Sequence, residues 1–176
     1  MGTTANVLVG DAAVTITCAA NQSGGLQESG TGTIATFYTV DGVTMTVSSS
    51  FADIKVEENV GTIIRRLTDQ EVKVTLTFAE GTLDNLVAAI PGSAINVGGT
   101  VVTIGGGLAG DPLLQIFELD LVGVDPAGGA RTINIPEVNP TGEVGVPYKK
   151  GEISVVPVTF SALVADTGVF ATITDA

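Results

Sequence analysis

The run Glu71-Val72-Lys73-Val74-Thr75-Leu76-Thr77-Phe78 alternates polar and apolar residues without a break. Side chains of an extended strand point to opposite faces with period two, so this pattern puts one face on a core and the other on solvent or a partner. Val14-Thr15-Ile16-Thr17-Cys18 and Val43-Thr44-Met45-Thr46-Val47-Ser48 alternate in the same way. Further strands are predicted over Thr100–Ile104, Leu113–Val124, Arg131–Ile135, Glu152–Leu163 and Val169–Thr174, where threonine and valine suit a half-buried pleated surface.

Gly24-Gly25, Asp41-Gly42, Gly98-Gly99, Asp125–Gly129 and Asn139–Gly142 read as turns between these runs. Asp41-Gly42, flanked by β-rich segments, carries the signature of a hairpin. One helix is predicted, Thr82–Ile90. Thr82 can cap it, Asp84 sits in its first turn, and Leu83, Leu86, Val87 and Ile90 form one apolar stripe before Pro91-Gly92 stops it. The expectation is a single domain over residues 1–176, mainly antiparallel β, with the short helix packed on it.

Between Val47 and Glu71 the alternation lapses. Roughly residues 48–71 join two well-patterned strands by far more than the two to five residues of an ordinary hairpin loop. The stretch carries Lys55, Glu57, Glu58, Arg65 and Arg66. It reads as an arm with a function; the bland alternative is a solvated hairpin without one. The glycine-rich 95–112 region reads as a surface loop.

Composition narrows the function. Charged residues are 15% of the 176 and hydrophobic ones 44%. With charge so far below the usual quarter or so, there is more apolar surface than one core hides, which points to oligomerisation. Nineteen acidic against seven basic residues give a net charge of −12. Such a chain lacks the cationic surface that neutralises phosphates, and the same balance opposes docking on anionic membranes. Histidine is absent, which removes the commonest metal ligand and general base. No run approaches a membrane span, and the N-terminus lacks a basic leader, so assembly in a cytoplasm is expected. Cys18 is the lone cysteine and reads as a small buried hydrophobe. Gly105–Gly110 matches G-x-G-x-x-G, but Asp111-Pro112 comes next, where a dinucleotide-binding helix would have to open. No cofactor, no metal and no catalytic residue is expected, and the chain is not read as an enzyme.

Val56–Leu86 also carries an ordered set of motifs: an acidic strand, the turn Arg65-Arg66-Leu67-Thr68, the alternating strand Val72–Phe78, and the capped helix Thr82-Leu83-Asp84-Asn85-Leu86. With Asn6–Gly10 near the start, and Tyr148-Lys149-Lys150, Val156–Leu163 and Gly168–Ile173 near the end, this arrangement resembles the major tail tube proteins of siphophages. The resemblance implies a tail-tube β-sandwich or barrel subunit with one short helix and a long β-hairpin arm. Such subunits form hexameric rings that stack into a virion tail tube, assembled in the host cytoplasm with tape-measure, tail-tip and terminator proteins. Their lumen conducts the genome without binding DNA specifically, and no membrane is a partner.

The resemblance places the arm at residues 53–68 and its subunit and ring contacts at Glu57, Glu58, Ile63, Arg65 and Arg66. Arg65 and Arg66 are the only paired arginines of the chain, and bridges to carboxylates of a neighbouring copy are expected of them. Two alternatives stand beside this: the tube of a contractile tail or type VI secretion system, which shares the general fold, and a monomeric β-sandwich binding module. The module reads ligands through exposed aromatics, whereas here tryptophan is absent and the tyrosines are Tyr38 and Tyr148.

Overall fold

In the computed structural model, which describes residues 13–18, 33–37, 39–54, 63–95, 100–105, 116–125, 127–146 and 155–175, the run Glu71–Phe78 is the inner half of a longer strand. The elements in chain order are β1 (Ala13–Cys18), β2 (Thr33–Phe37), β3 (Thr39–Ile54), β4 (Ile64–Phe78) and α1 (Leu83–Ala89). Then come β5 (Ser93–Ile95), β6 (Val102–Ile104), β7 (Phe117–Val124), β8 (Ala130–Thr141), β9 (Val156–Ala162) and β10 (Thr172–Asp175). The main sheet runs β2-β1-β7-β8-β9-β4-β3 with β10 added on β8, and β5 pairs with β6 apart from it. All of these pairings are antiparallel.

Two corners fold this sheet over a single core. The first is β8, which pairs with β7 and β10 through its first half and with β9 through Val138–Thr141. Its register against β7 slips between Ile135 and Val138, leaving Pro136-Glu137 as the bulge. Proline has no N–H to give a ladder, so a bulge is where a strand tolerates it. The second corner joins β2 to β3. Phe37 and Thr39 are separated by one residue, so the chain holds the two ends of the sheet within about 7 Å of each other. Strands that pass from one layer to the other at bends are how barrel-like sandwiches turn their corners.

The apolar positions of the alternating runs meet inside. Val14, Ile16, Phe117, Leu119, Leu121 and Ile135 come from one half, and Val72, Val74, Leu76, Phe78, Val158 and Phe160 from the other, in one contiguous buried cluster. Among the described residues the chain is mainly β, one main antiparallel sheet with a single short helix, which is consistent with the expected fold class.

Several local expectations differ from the structure. Asp41-Gly42 is no hairpin turn: β3 runs straight through it, and the register against β4 slips between Val40 and Val43. The glycine supplies the positive φ (+77°) that this bulge needs. Asn139 and Pro140 likewise lie within β8, opposite Ser161 and Phe160, and Gly142 (φ +97°) comes directly after the strand. Asp125–Gly129 is a turn as read, with the Gly129 N–H donating to Asp125 Oδ1 at 2.6 Å. Val169 and Phe170 precede β10 rather than belonging to it, and β2 and β5 escaped the sequence reading. Gly24-Gly25 and Gly98-Gly99 lie outside the described residues, as does the Cys18 side chain.

The helix forms where predicted. Thr82 Oγ1 accepts from the Asn85 N–H at 3.3 Å, and Asn85 Nδ2 donates to the Glu80 carbonyl at 2.6 Å. Its buried residues are Asn85, Val87, Ala88 and Ala89; of the anticipated stripe Val87 is buried, while Leu83, Leu86 and Ile90 are only partly so. Small alanines let this seven-residue helix sit close against the wall, while Leu86 only leans on the core. Ser93 Oγ then donates to the carbonyls of Val87 and Ile90, satisfying acceptors that a helix end leaves open.

Candidate functional site

β3 and β4, 16 and 15 residues long, pair from Thr39↔Phe78 out to Ile54↔Ile64. Only the inner part of β4, from Val72 onward, places alternate residues in the core. Beyond it both strands are exposed on both faces, through Thr46–Ile54 and Ile63–Gln70. The outer half is thus a two-stranded ribbon, a form that is marginal in water without something packed on it. Its sequence explains the change, since Val47-Ser48-Ser49-Ser50-Phe51 abandons the alternation that a core requires.

The ribbon is nevertheless rich in large apolar side chains. Phe51, Ile64, Leu67 and Val47 are each half-exposed or more (56%, 54%, 51% and 50%), joined by Ile54 and Ile63. A register slip between Ser50 and Phe51 leaves Thr68 as an extra residue on β4. Beyond it, Phe51↔Leu67 and Asp53↔Arg65 share one face, and Ala52↔Arg66 and Ile54↔Ile64 share the other.

The two arginines therefore have different surroundings. Arg65 donates from Nε to Asp53 Oδ1 at 2.7 Å and from Nη2 to Asp53 Oδ2 at 3.1 Å, and its guanidinium lies 5.9 Å from the centre of the Phe51 ring. The hydrogen bond to Asp53 holds its pKa above the ordinary arginine value. Arg66 projects beside the isoleucines with no ion-pair partner among the described residues. Of the residues singled out by sequence, Ile63, Arg65 and Arg66 lie on the ribbon, whereas Glu57 and Glu58 lie outside the described residues. Phe51, Ile54, Ile64 and Leu67 were not singled out. Their signal was the lapse of period two itself, apolar residues persisting where no core face remains.

At the ribbon's root the sandwich stops before its strands do. Met45, Val47, Gln70 and Val72 form one wall of an apolar groove of about 350 Å³, and residues 168–171 with Ile173 form the other. Phe170 and Ala171 lean on the core, as does Met45, while Val47, Val169 and Ile173 stay open to solvent. Near one end, Arg131 grips Asp175 through Nε–Oδ1 (2.6 Å) and Nη2–Oδ2 (2.7 Å). That hydrogen bond raises the arginine pKa and lowers the carboxylate's.

The other face of the sheet is hydroxyl-lined. Thr44, Thr75, Thr159 and Thr141 form one cross-strand row over β3, β4, β9 and β8. Thr75 Oγ1 and Thr159 Oγ1 are 3.5 Å apart, and Thr141 Oγ1 donates to the Thr159 carbonyl. Further along the same face Asn134 Nδ2 donates to Glu118 Oε1 (2.7 Å) and Asp120 Oδ1 (2.8 Å). Lys73 on this face is bound to Glu71 at 2.8 Å. Among the described residues no group of carboxylates, cysteine or histidine is arranged to hold a metal ion. Nor is any described helix long and apolar enough to cross a membrane.

No protein-family model and no curated protein matches the sequence. Among solved structures, a chain of the anti-feeding prophage tube-terminating cap aligns at 12% identity over 93% of this chain and 88% of its own, with a TM-score of 0.46. A chain of the anti-feeding prophage baseplate aligns at 10% identity over 100% and 97%, with a TM-score of 0.47. The chain is similar in fold to one in the extended sheath-tube complex of the extracellular contractile injection system PVC, at 10% identity, a TM-score of 0.54, and coverage of 94% of this chain and 89% of the other.

Proposed function

We propose that this chain is the tube subunit of a phage-tail-like assembly, a structural protein whose hexameric rings stack into a conduit. One observation carries the reading: a full-length paired hairpin whose outer half buries nothing yet exposes Phe51, Ile54, Ile63, Ile64 and Leu67. Water disfavours such a ribbon, and contact with further copies of the chain removes the penalty. The arm contacts the adjacent ring, and Ile63 and Arg66 belong to that contact, to which the sequence reading also assigns Glu57 and Glu58. Arg65, bound to Asp53, holds the ribbon's shape. The hydroxyl face with Glu118 and Asp120 lines the bore. Lys73 in that part of the sheet is already engaged by Glu71, so a passing polyphosphate there meets hydroxyls and negative charge and slides without sticking. The partners are tape-measure, tail-tip and terminator proteins, and the place of action is a virion tail delivering its genome.

A contractile system is the second reading, supported by the fold likeness to a chain of the PVC sheath-tube complex. Both readings predict hollow tubes in negative-stain micrographs of the purified protein. A sheath-type protein purifying with those tubes selects the contractile reading, and bare tubes select the siphophage one. A monodisperse 17.7 kDa species at every concentration overturns both in favour of the binding module.

A further inference from the structure

The chain carries two unpartnered apolar features: the ribbon's outer half and the groove at the ribbon's root. The ribbon does not fill its own groove. Ile54 lies seven residues beyond Val47 on β3, and Ile64 eight residues beyond Val72 on β4. At about 3.3 Å per strand residue, a paired ribbon holds those isoleucines about 16 Å or more from Gln70, the nearest groove residue.

Charge says which surface the groove receives. Of the described cations, Arg65, Lys73 and Arg131 are bound to carboxylates of their own sheet, and Arg66 has no such partner among the described residues. Arg66 shares a ribbon face with Ile54 and Ile64. Next in the chain to the groove lining, Asp166 sits two residues before Gly168, in the tight turn closed by the Gly168 N–H to the Ala165 carbonyl at 2.7 Å. Asp166 is exposed and has no ion-pair partner among the described residues. A ribbon face with two isoleucines and a spare cation thus complements an apolar groove with a spare carboxylate beside it.

We infer that the groove between the β3–β4 root and residues 168–173 is the receptor for the ribbon of a second copy, with Ile54 and Ile64 seated between Val47, Val72, Val169 and Ile173 and Arg66 paired to Asp166. A knob and a hole at different places on one chain allow a head-to-tail contact that repeats from copy to copy into a ring or a filament, the form a stacked tube needs. The inference rests on the tube reading and names the surface that the arm engages.

Charge exchange tests it. Arg66→Asp and Asp166→Arg each raise the concentration needed for tube formation by about tenfold or more, the scale of losing one partner of a desolvated pair. The double variant, with the charges swapped, returns to within about threefold of the parent. A second measurement uses two chains in a Cys18→Ser background, one with Ile64→Cys and one with Val169→Cys. Mixed and oxidised, they yield disulfide-linked dimers that neither chain yields alone. Tubes that form while the double variant stays impaired and no mixed disulfide appears overturn the receptor assignment and leave the tube reading standing. Monomers at every concentration overturn both.

Discussion

Across the outer arm the Asp53 carboxylate accepts two hydrogen bonds from the Arg65 guanidinium, Nε to Oδ1 at 2.7 Å and Nη2 to Oδ2 at 3.1 Å. The pair sits in directly opposed register, with Arg65 also over the Phe51 ring, so one side chain ties both strands of a ribbon that has no core beneath it. In water such a pair orders the ribbon locally and adds little to global stability. Asp53→Asn is expected to leave the urea midpoint unchanged while amide exchange of Ile54 and Ile64 accelerates, read by hydrogen-exchange mass spectrometry or NMR. A lowered midpoint would give the pair a role in the fold itself.

Stability and assembly separate along β3 and its neighbours. Phe160, fully buried between the layers, costs about 3–5 kcal/mol when cut to alanine, as large core aromatics do. Phe51→Ala, at an exposed ribbon site, changes the unfolding free energy of the isolated subunit by no more than about 0.5 kcal/mol and still reduces tube yield. Denaturant titration of dilute subunits paired with microscopy of concentrated samples distinguishes the two effects.

The helix start offers a second stability test. Thr82→Ala removes the hydroxyl that accepts from the Asn85 N–H, a loss of about 1 kcal/mol for an N-cap. Asn85→Ala costs about 1–3 kcal/mol, because it strips the donor from the Glu80 carbonyl at a buried position. Chemical denaturation of each variant gives both numbers.

Gly42 tests the bulge. Its φ of +77° lies where L side chains are strained, while a Cβ built there meets nothing within 4 Å. Gly42→Ala is therefore expected to destabilise by about 1 kcal/mol through backbone strain alone. Gly123→Ala, equally uncrowded and without a positive φ, is expected to be near neutral in the same denaturation assay.

Acid loosens the end of β10. The hydrogen bond from Arg131 lowers the Asp175 pKa below its ordinary 3.8, so the folded state binds that proton less readily than the unfolded one. The contribution is complete above the ordinary value and disappears as pH falls below it, through the lowered one. An NMR titration of the Asp175 carboxyl is expected to show the low midpoint, and Arg131→Ala to return it to the ordinary range.

Sequence by itself determined the strands that meet the core and the helix that comes after them. Val72–Phe78 alternates because one face is dry, and Thr82 with Pro91-Gly92 brackets a helix by local capping and breaking alone. Local chemistry of that kind reads the same in any tertiary setting. The lapse after Val47 likewise announced a segment without a core, and so marked out the arm that carries Arg65 and Arg66. Tertiary structure decided everything that depends on register. It turned Asp41-Gly42 and Pro136-Glu137 into bulges inside continuous strands, because a slip of pairing is fixed by the opposite strand and not by the residues that slip. It buried Asn85, Ala88 and Ala89 in place of the leucine stripe, because the close approach to the wall favours small side chains. It also set Asp53 opposite Arg65 and Ala52 opposite Arg66. Two adjacent arginines of equal standing in the sequence thereby became one bound within its own hairpin and one turned outward among isoleucines.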